Sequence, residues 1–323
     1  ILNDPESRIT LSFYRYTPVN NPHSLRDHLF SVLDQIEVLG RIYIATEGIN
    51  GQVSVPENNI NSFRERLQEI RFLDNIRLNR SFDDNGKSFF KLKVKVRNKI
   101  VADGLEDYSF DVMKSGEHLD AEKLNKLIES GNPVIMDMRN HYESRIGHFQ
   151  DALLPDANTF REALKIGEQM LNSYRQRPIV LYCTGGIRCE KASAYFKHKG
   201  FREVYQLDGG IIQYAREVRE KNLTNYFRGK NFVFDERLGE RISDDVIALC
   251  YHCGNPSDDY TNCKNTGCNL LHITCRECRE KMEGCCSEEC RDIIHLSREE
   301  QKILRKGKDK GIRIFTKGIP FGK

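Results

Sequence analysis

Apolar positions along the chain switch between a period of two and a period near 3.6, and the switches outline the elements. Residues 11–16 open as a strand, and Leu25, Leu29, Val32, Leu33 and Ile36 then recur at helical spacing over 23–37. Residues 41–45 alternate as a strand, Glu47-Gly48-Ile49-Asn50-Gly51 predicts a turn, and 52–55 returns as a strand. A second helix is expected over 58–69, with Ile60, Phe63 and Leu67 on one face, followed by strands near 76–82 and 89–101. The order βαββαβ with one further strand predicts a ferredoxin-like, or acylphosphatase-like, α+β domain over 1–101. From residue 120 to 225 strands alternate with helices. That alternation predicts a parallel α/β domain whose ligand site lies at the carboxyl ends of its strands. Residues 102–119 read as a linker, 226–296 as a bridging segment and cysteine-rich module, and 297–323 as a short helix with a basic tail.

The apolar run Pro178-Ile179-Val180-Leu181-Tyr182 reads as a buried strand, and helix-forming residues follow over 190–199. Cys183 therefore sits at a strand-to-helix turn. Thr184, Gly185, Gly186 and Ile187 form the connecting loop, in which the glycines let the backbone curl and aim N–H groups at the sulfur. With Arg188 and the positive end of a helix dipole close by, a thiolate or persulfide at Cys183 is stabilised. Cys189 is a second thiol, suited either to resolving an oxidised Cys183 or to packing at the helix start.

Lys91, Lys93, Lys95 and Arg97 alternate with Leu92, Val94 and Val96, which places four cations on one strand face. Such a stripe fits contacts with a nucleic-acid backbone, and it equally fits an edge strand protected by lysine. Residues 227–237 interleave aromatic and basic side chains, as an RNA surface does, although a short packed strand explains them as well. The stretch 305–313 is a basic arm by composition.

Length and charge set the outer bounds. The 323 residues suffice for two or three cores, and a net charge of +3 means that charge must be judged locally. No apolar run has the length of a membrane span, and the polar opening lacks a signal-peptide pattern, so a cytoplasmic protein is expected. Nine of the eleven cysteines fall between Cys250 and Cys290, which in a reducing compartment suggests metal. They supply enough thiolates for about two tetrahedral zinc sites of structural type. The pairs can join sequentially or in a cross-brace. By analogy with other double-zinc modules, the expected grouping is Cys250, Cys253, Cys275 and Cys278 in one site. Cys263, Cys268, Cys286 and Cys290 form the other, with Cys285 and His272 as alternative donors.

Over residues 120–220 the chain resembles the rhodanese-like family, on Asp137-x-Arg139, Glu143, Gly147-His148, Cys183-x-x-Gly186-x-Arg188 and Leu207-x-Gly209-Gly210. The resemblance implies sulfur chemistry for the six-residue loop from Cys183 to Arg188, and the one-residue-longer loop of related phosphatases makes a phosphatase disfavoured. Tyr214 stands where many such domains carry Trp. Adding Gly40-Arg41-Ile42-Tyr43-Ile44-Ala45-Thr46-Glu47-Gly48-Ile49-Asn50-Gly51 and the cysteine-rich end, the whole chain resembles the bacterial rhodanese-domain tRNA uridine hydroxylases. Membership implies oxygen-dependent conversion of wobble uridine to 5-hydroxyuridine, with molecular oxygen as co-substrate, tRNA as partner and no organic cofactor apparent. Cys183 and Arg188 are then the expected catalytic pair. Two other readings remain open from the residues alone: a persulfide-carrying sulfurtransferase, and a non-catalytic RNA-binding adaptor.

Overall fold

The computed structural model describes residues 7–82, 88–105, 110–131 and 133–306. The N-terminal sheet comprises β1 (Arg8–Tyr16), β2 (Leu39–Ala45), β3 (Gly48–Pro56), β4 (Asn79–Arg80) and β5 (Leu92–Val96), in the order β4-β1-β3-β2-β5. β1 and β2 are antiparallel to β3, and β5 lies parallel to β2 at one edge. Helices α1 (Pro22–Asp34) and α2 (Ile60–Gln68) cover one face, where Leu29, Leu33, Phe63 and Leu67 pack with Leu11, Phe13, Ile42 and Val53. This is the expected α+β sandwich.

Side chains paired across neighbouring strands share a face. The register therefore writes two polar rows on the face away from the helices. One row runs Asn79, Ser12, Gln52, Arg41, Lys93, and the next runs Tyr14, Asn50, Tyr43, Lys95. The expected turn at 47–51 is tighter than its composition suggests: only Thr46 and Glu47 lie outside the strands. Gly48 already belongs to β3, at φ 147°, and a Cβ there would stand 2.1 Å from the Arg15 carbonyl oxygen. Its glycine serves close strand packing rather than a loop.

The second sheet is parallel, in the order β6-β10-β9-β7, with β6 (Glu117–Leu119), β7 (Val134–Asp137), β9 (Ile179–Tyr182) and β10 (Val204–Leu207). Thus the last three residues of the presumed linker are a sheet strand, too short to register as a pattern. Helices α3 (Ala121–Glu129) and α7 (Gly210–Glu220) pack on one face through Leu124, Ile211 and Tyr214, and α5 (Phe160–Leu171) and α6 (Ile187–His198) on the other through Leu164 and Phe196. Tyr214 is fully buried. Its hydroxyl donates to Asn125 Oδ1 and accepts from the Tyr226 N–H, both at 3.0 Å, so the phenol is satisfied in the interior. After the short α4 (His141–Ser144), β8 (Gly147–Phe149) pairs with β11 (Phe227–Asn231), which pairs in turn with β12 (Glu240–Arg241). The start of the aromatic and basic stretch is accordingly a packed strand, with Phe227 and Phe232 buried.

The chain ends in β13 (Tyr260–Asn262), β14 (Leu271–Ile273), α8 (Arg276–Lys281), α9 (Glu288–His295) and α10 (Arg298–Arg305). The expected basic arm lies almost wholly outside the described residues. No described helix is long and apolar enough to cross a membrane.

Polar contacts join the two sheet domains. Lys191, 2% exposed, reaches Asp103 Oδ2 at 2.6 Å and Glu47 Oε2 at 2.8 Å. Tyr14 donates to Glu190 Oε1 at 3.0 Å, Tyr16 to the Ile187 carbonyl at 3.2 Å, and Arg77 pairs with Asp208 at 2.6 Å. A buried ion pair contributes modest net stability, yet removing one partner strands the other charge. Lys191→Ala leaves buried Asp103 with Lys99 alone, 2.6 Å from Oδ1, and takes the cation from Glu47, and a loss of about 2 kcal/mol is expected in denaturant unfolding. A change below about 0.5 kcal/mol, the range of ordinary surface substitutions, would contradict the assigned role.

Candidate active site and metal clusters

Cys183 follows β9 directly at the carboxyl edge of the parallel sheet, and α6 begins four residues later. Gly186 caps the helix at φ 97°, a left-handed conformation that a side chain would strain, and a Cβ there would lie 2.8 Å from the Tyr14 hydroxyl. The curled loop turns the Gly186 N–H onto Cys183 Sγ at 3.2 Å. From below, the start of α7 holds the loop: Ile211 N–H donates to the Cys183 carbonyl at 3.0 Å and Ile212 N–H to the Thr184 carbonyl at 3.2 Å. Gly210 permits this approach, since a Cβ would stand 2.5 Å from the Cys183 carbonyl oxygen. The two glycine motifs of the second domain thus build one cradle.

Burial by itself raises the Cys183 pKa. A hydrogen bond from the Cys189 thiol, the Arg188 charge, and the Arg188 and Gly186 N–H groups outweigh burial and bring it down to about 6. Cys189 is itself fully buried, and burial beside Cys183 pushes its pKa well up, so it stays a protonated donor. The Arg188 guanidinium does not bond the sulfur. It forms a two-pronged pair with buried Glu143 at 2.6 and 2.8 Å, lies 3.3 Å from Thr184 Oγ1, and acts on Cys183 through its charge and its backbone N–H. Glu143 fixes the arginine, while Asp137 and Arg139 form a separate buried pair at 2.6 Å behind the loop.

A cavity of about 470 Å³ lies between this loop and the polar face of the N-terminal sheet. Its walls include Ser12, Tyr14 and Gln52 from the sheet, Cys183 and Arg188 from the loop, and Phe234 from the bridging segment. Such a volume lies within the range of small-ligand sites. Periodicity marked neither Ser12, Tyr14 and Asn79 nor Phe234 and Glu240 as site residues. Their one available signal was the alternation of Ser12 and Tyr14 with apolar neighbours in β1, which marks a polar face without naming what it confronts.

Lys91, Lys93, Lys95 and Arg97 are all exposed, with Val94 buried between them. Lys93 and Lys95 extend the two polar rows that face the cavity, and Arg97 stacks 5.3 Å from the Tyr43 ring centre. The stripe is also a sheet edge, as the protective reading required. A neighbouring depression of about 350 Å³ joins Lys91, Lys93 and Arg41 to Phe89, Phe90 and Phe234.

Two cysteine groups stand in the C-terminal segment: Cys250, Cys253, Cys275 and Cys278, and Cys263, Cys268, Cys286 and Cys290. Within each, the four sulfurs lie within 4.8 Å of one another. The separations of 3.7 Å for Cys253 to Cys275 and 3.6 Å for Cys268 to Cys286 match the roughly 3.8 Å edge of a tetrahedral zinc–thiolate site. N–H groups of Cys275 and Cys286 also point at the sulfurs of Cys250 and Cys263, as expected around thiolates. The pairing is a cross-brace. Cys285 and His272 lie outside both groups; Cys285 is buried, and His272 Nδ1 donates to the Leu270 carbonyl at 3.3 Å.

Three family models match in sequence: a UPF0176 acylphosphatase like domain over residues 8–100, a rhodanese-like domain over 120–217, and a rhodanase C-terminal segment over 228–291. Curated tRNA uridine(34) hydroxylases of Photorhabdus laumondii and Cronobacter sakazakii are each 51% identical over 98% of this chain, covering 90% and 91% of their own lengths. The chain belongs to the tRNA uridine(34) hydroxylase family. The relative from Escherichia fergusonii is 50% identical over the same share. Two stretches on which the chain resembles this family, 40–51 and 183–191, meet in the Glu47–Lys191 pair.

The thiolate forms as pH rises through the Cys183 pKa, so its ultraviolet absorbance, taken as wild type minus Cys183→Ala, is expected to fall away as pH drops through about 6. Arg188→Leu removes a lowering charge and is expected to move that midpoint up by about one pH unit or more. An unchanged midpoint would contradict the electrostatic account.

Proposed function

We propose that the chain hydroxylates C5 of wobble uridine in tRNA and that Cys183 is the nucleophile. The observation that carries this reading is a thiol held near pKa 6 against a cavity that confronts it with a polar, partly basic sheet face. The C5=C6 bond of uracil is conjugated to the C4 carbonyl, which makes C6 electrophilic. Addition of the Cys183 thiolate to C6 moves the electron pair onto C5 and O4 as an enolate. C5 then bonds an electrophilic oxygen; loss of the C5 proton and departure of the thiolate restore the ring. Arg188 and the loop N–H groups stabilise the thiolate before addition and after release. Molecular oxygen is the oxygen source in this reading, and an external reductant supplies the two electrons and two protons that carry its second atom to water.

Lys91, Lys93, Lys95 and Arg97 would contact the tRNA backbone on the way to the cavity, giving a salt-dependent affinity. The two cysteine groups would each hold a structural zinc ion, since four thiolates leave no open coordination position and a small segment of this kind takes folding energy from metal. A tRNA substrate implies a cytoplasmic location.

Nucleoside mass spectrometry tests the assignment. tRNA from cells whose sole copy is Cys183→Ala should lose 5-hydroxyuridine and its derivatives, by at least about a thousandfold in enzyme activity. Full hydroxylation by the variant overturns the role of Cys183. A loss confined to thiolated nucleosides would point instead to sulfur transfer, because the same N–H cradle suits a persulfide.

A further inference from the structure

At the β4 edge of the cavity, two acceptors are buried without donors. Asn79 is 4% exposed and Glu240 1% exposed, and Asn79 Oδ1 and Glu240 Oε2 have no hydrogen-bond partner. Both residues line the cavity. A buried acceptor left unpaired is costly, and interiors rarely tolerate it unless a ligand or water completes it.

The surrounding bonds fix which oxygen is free. Arg237 Nη1 donates to Glu240 Oε1 at 2.7 Å and also to Ser81 Oγ, and the Ser81 hydroxyl donates to the same Oε1. The other edge of Arg237 is occupied by Asp235, with Nε at 2.8 Å from Oδ1. One guanidinium thus lies between two carboxylates, and all the donors to Glu240 converge on Oε1. Burial raises the Glu240 pKa, against the lowering effect of Arg237 and Ser81. A donor arriving at Oε2 would favour the ionised form.

Register places this corner relative to the thiol. Asn79 pairs with Ser12 across β4 and β1, and Ser12 Oγ lies 3.8 Å from where a Cβ of Gly185 would stand. Ser81, two residues on from Asn79, points to the same side. C6 and N3 lie on opposite sides of the uracil ring. A base that turns C6 to Cys183 therefore turns its N3 edge away from the loop, toward the opposing wall.

We propose that Glu240 Oε2, in the cavity that Asn79 also lines, is the specificity-determining acceptor for the N3–H of the target uracil. N3–H is the one ring N–H of a uridine base, and the N3 of cytidine has none, so an acceptor held here admits uridine and rejects cytidine. A fixed acceptor discriminates more sharply than shape alone, because a ligand lacking the donor leaves the carboxylate unpaired. This inference rests on the hydroxylase reading above.

The test compares kcat/KM of the full chain on two anticodon stem-loops, one with uridine and one with 3-methyluridine at the wobble position. Wild type is expected to prefer uridine by about a hundredfold or more. In Glu240→Gln, Arg237 and Ser81 should hold the amide oxygen at the Oε1 position, so that an N–H group replaces the acceptor. Uridine turnover should then fall by about a hundredfold and the preference should collapse. Glu240→Ala opens space, and a rate on 3-methyluridine above the wild-type rate is expected, a gain that a merely damaged protein does not show. Equal wild-type rates on both substrates, or a preference unchanged in both variants, would overturn the proposal. Wild type that hydroxylates neither substrate would instead count against the hydroxylase reading itself.

Discussion

The site depends on keeping a sulfur anion where burial disfavours it. Cys183 has no exposed surface, and that alone would leave it a neutral thiol. Short-range dipoles reverse the balance: the Gly186 and Arg188 N–H groups and the Cys189 thiol, with the Arg188 charge behind them. None of these donors works at a distance, so the loop must keep its curl. Gly186 supplies the left-handed turn, Gly210 lets the start of α7 approach the loop carbonyls, and Glu143 holds the arginine whose charge acts on the sulfur. Much of the second domain can be read as the frame for that loop.

The N-terminal domain completes the site. Its polar sheet face closes a cavity over the loop, and the Lys191 contacts with Glu47 and Asp103 fasten the two domains at the helix that follows the Cys183 loop. Ser81 and Glu240 do the same between the first sheet and the segment after the second, through a hydrogen bond that crosses the cavity wall. In the proposed reading the thiol stands on the loop after β9 and the acceptor on β12, which Ser81 of the N-terminal domain holds in place. Their relative position, set by buried polar contacts, decides whether a base can meet both at once.

Cys183, its glycine loop and the cysteine groups were legible in the sequence because each is a local pattern: a strand end, a turn and short ligand spacings. The alternating cations of 91–97 were equally legible as a two-faced strand. What sequence could not fix was long-range register. That Lys93 and Lys95 share a face with Ser12 and Tyr14 follows from three successive strand pairings, β1 with β3, β3 with β2 and β2 with β5, of which only the second is local in sequence. Arg188 reads in the sequence as a charge close to the sulfur, which it is, but spacing says nothing of Glu143, 45 residues earlier, which holds the guanidinium. The strand at 117–119 and the two-residue turn before Gly48 were missed for the opposite reason: three residues make no period, and glycine in a turn looks the same in sequence as glycine under a neighbouring strand.

The proposed hydroxylation runs through a covalent bond between Cys183 and C6 of the wobble base. A stem-loop carrying 5-fluorouridine at that position tests it directly, because fluorine at C5 cannot leave as a proton does and traps the adduct. A denaturation-resistant complex of protein and RNA is expected, with a peptide mass that places the bond on Cys183, absent in Cys183→Ala. Normal hydroxylation of uridine together with no adduct, or an adduct on another residue, would contradict it.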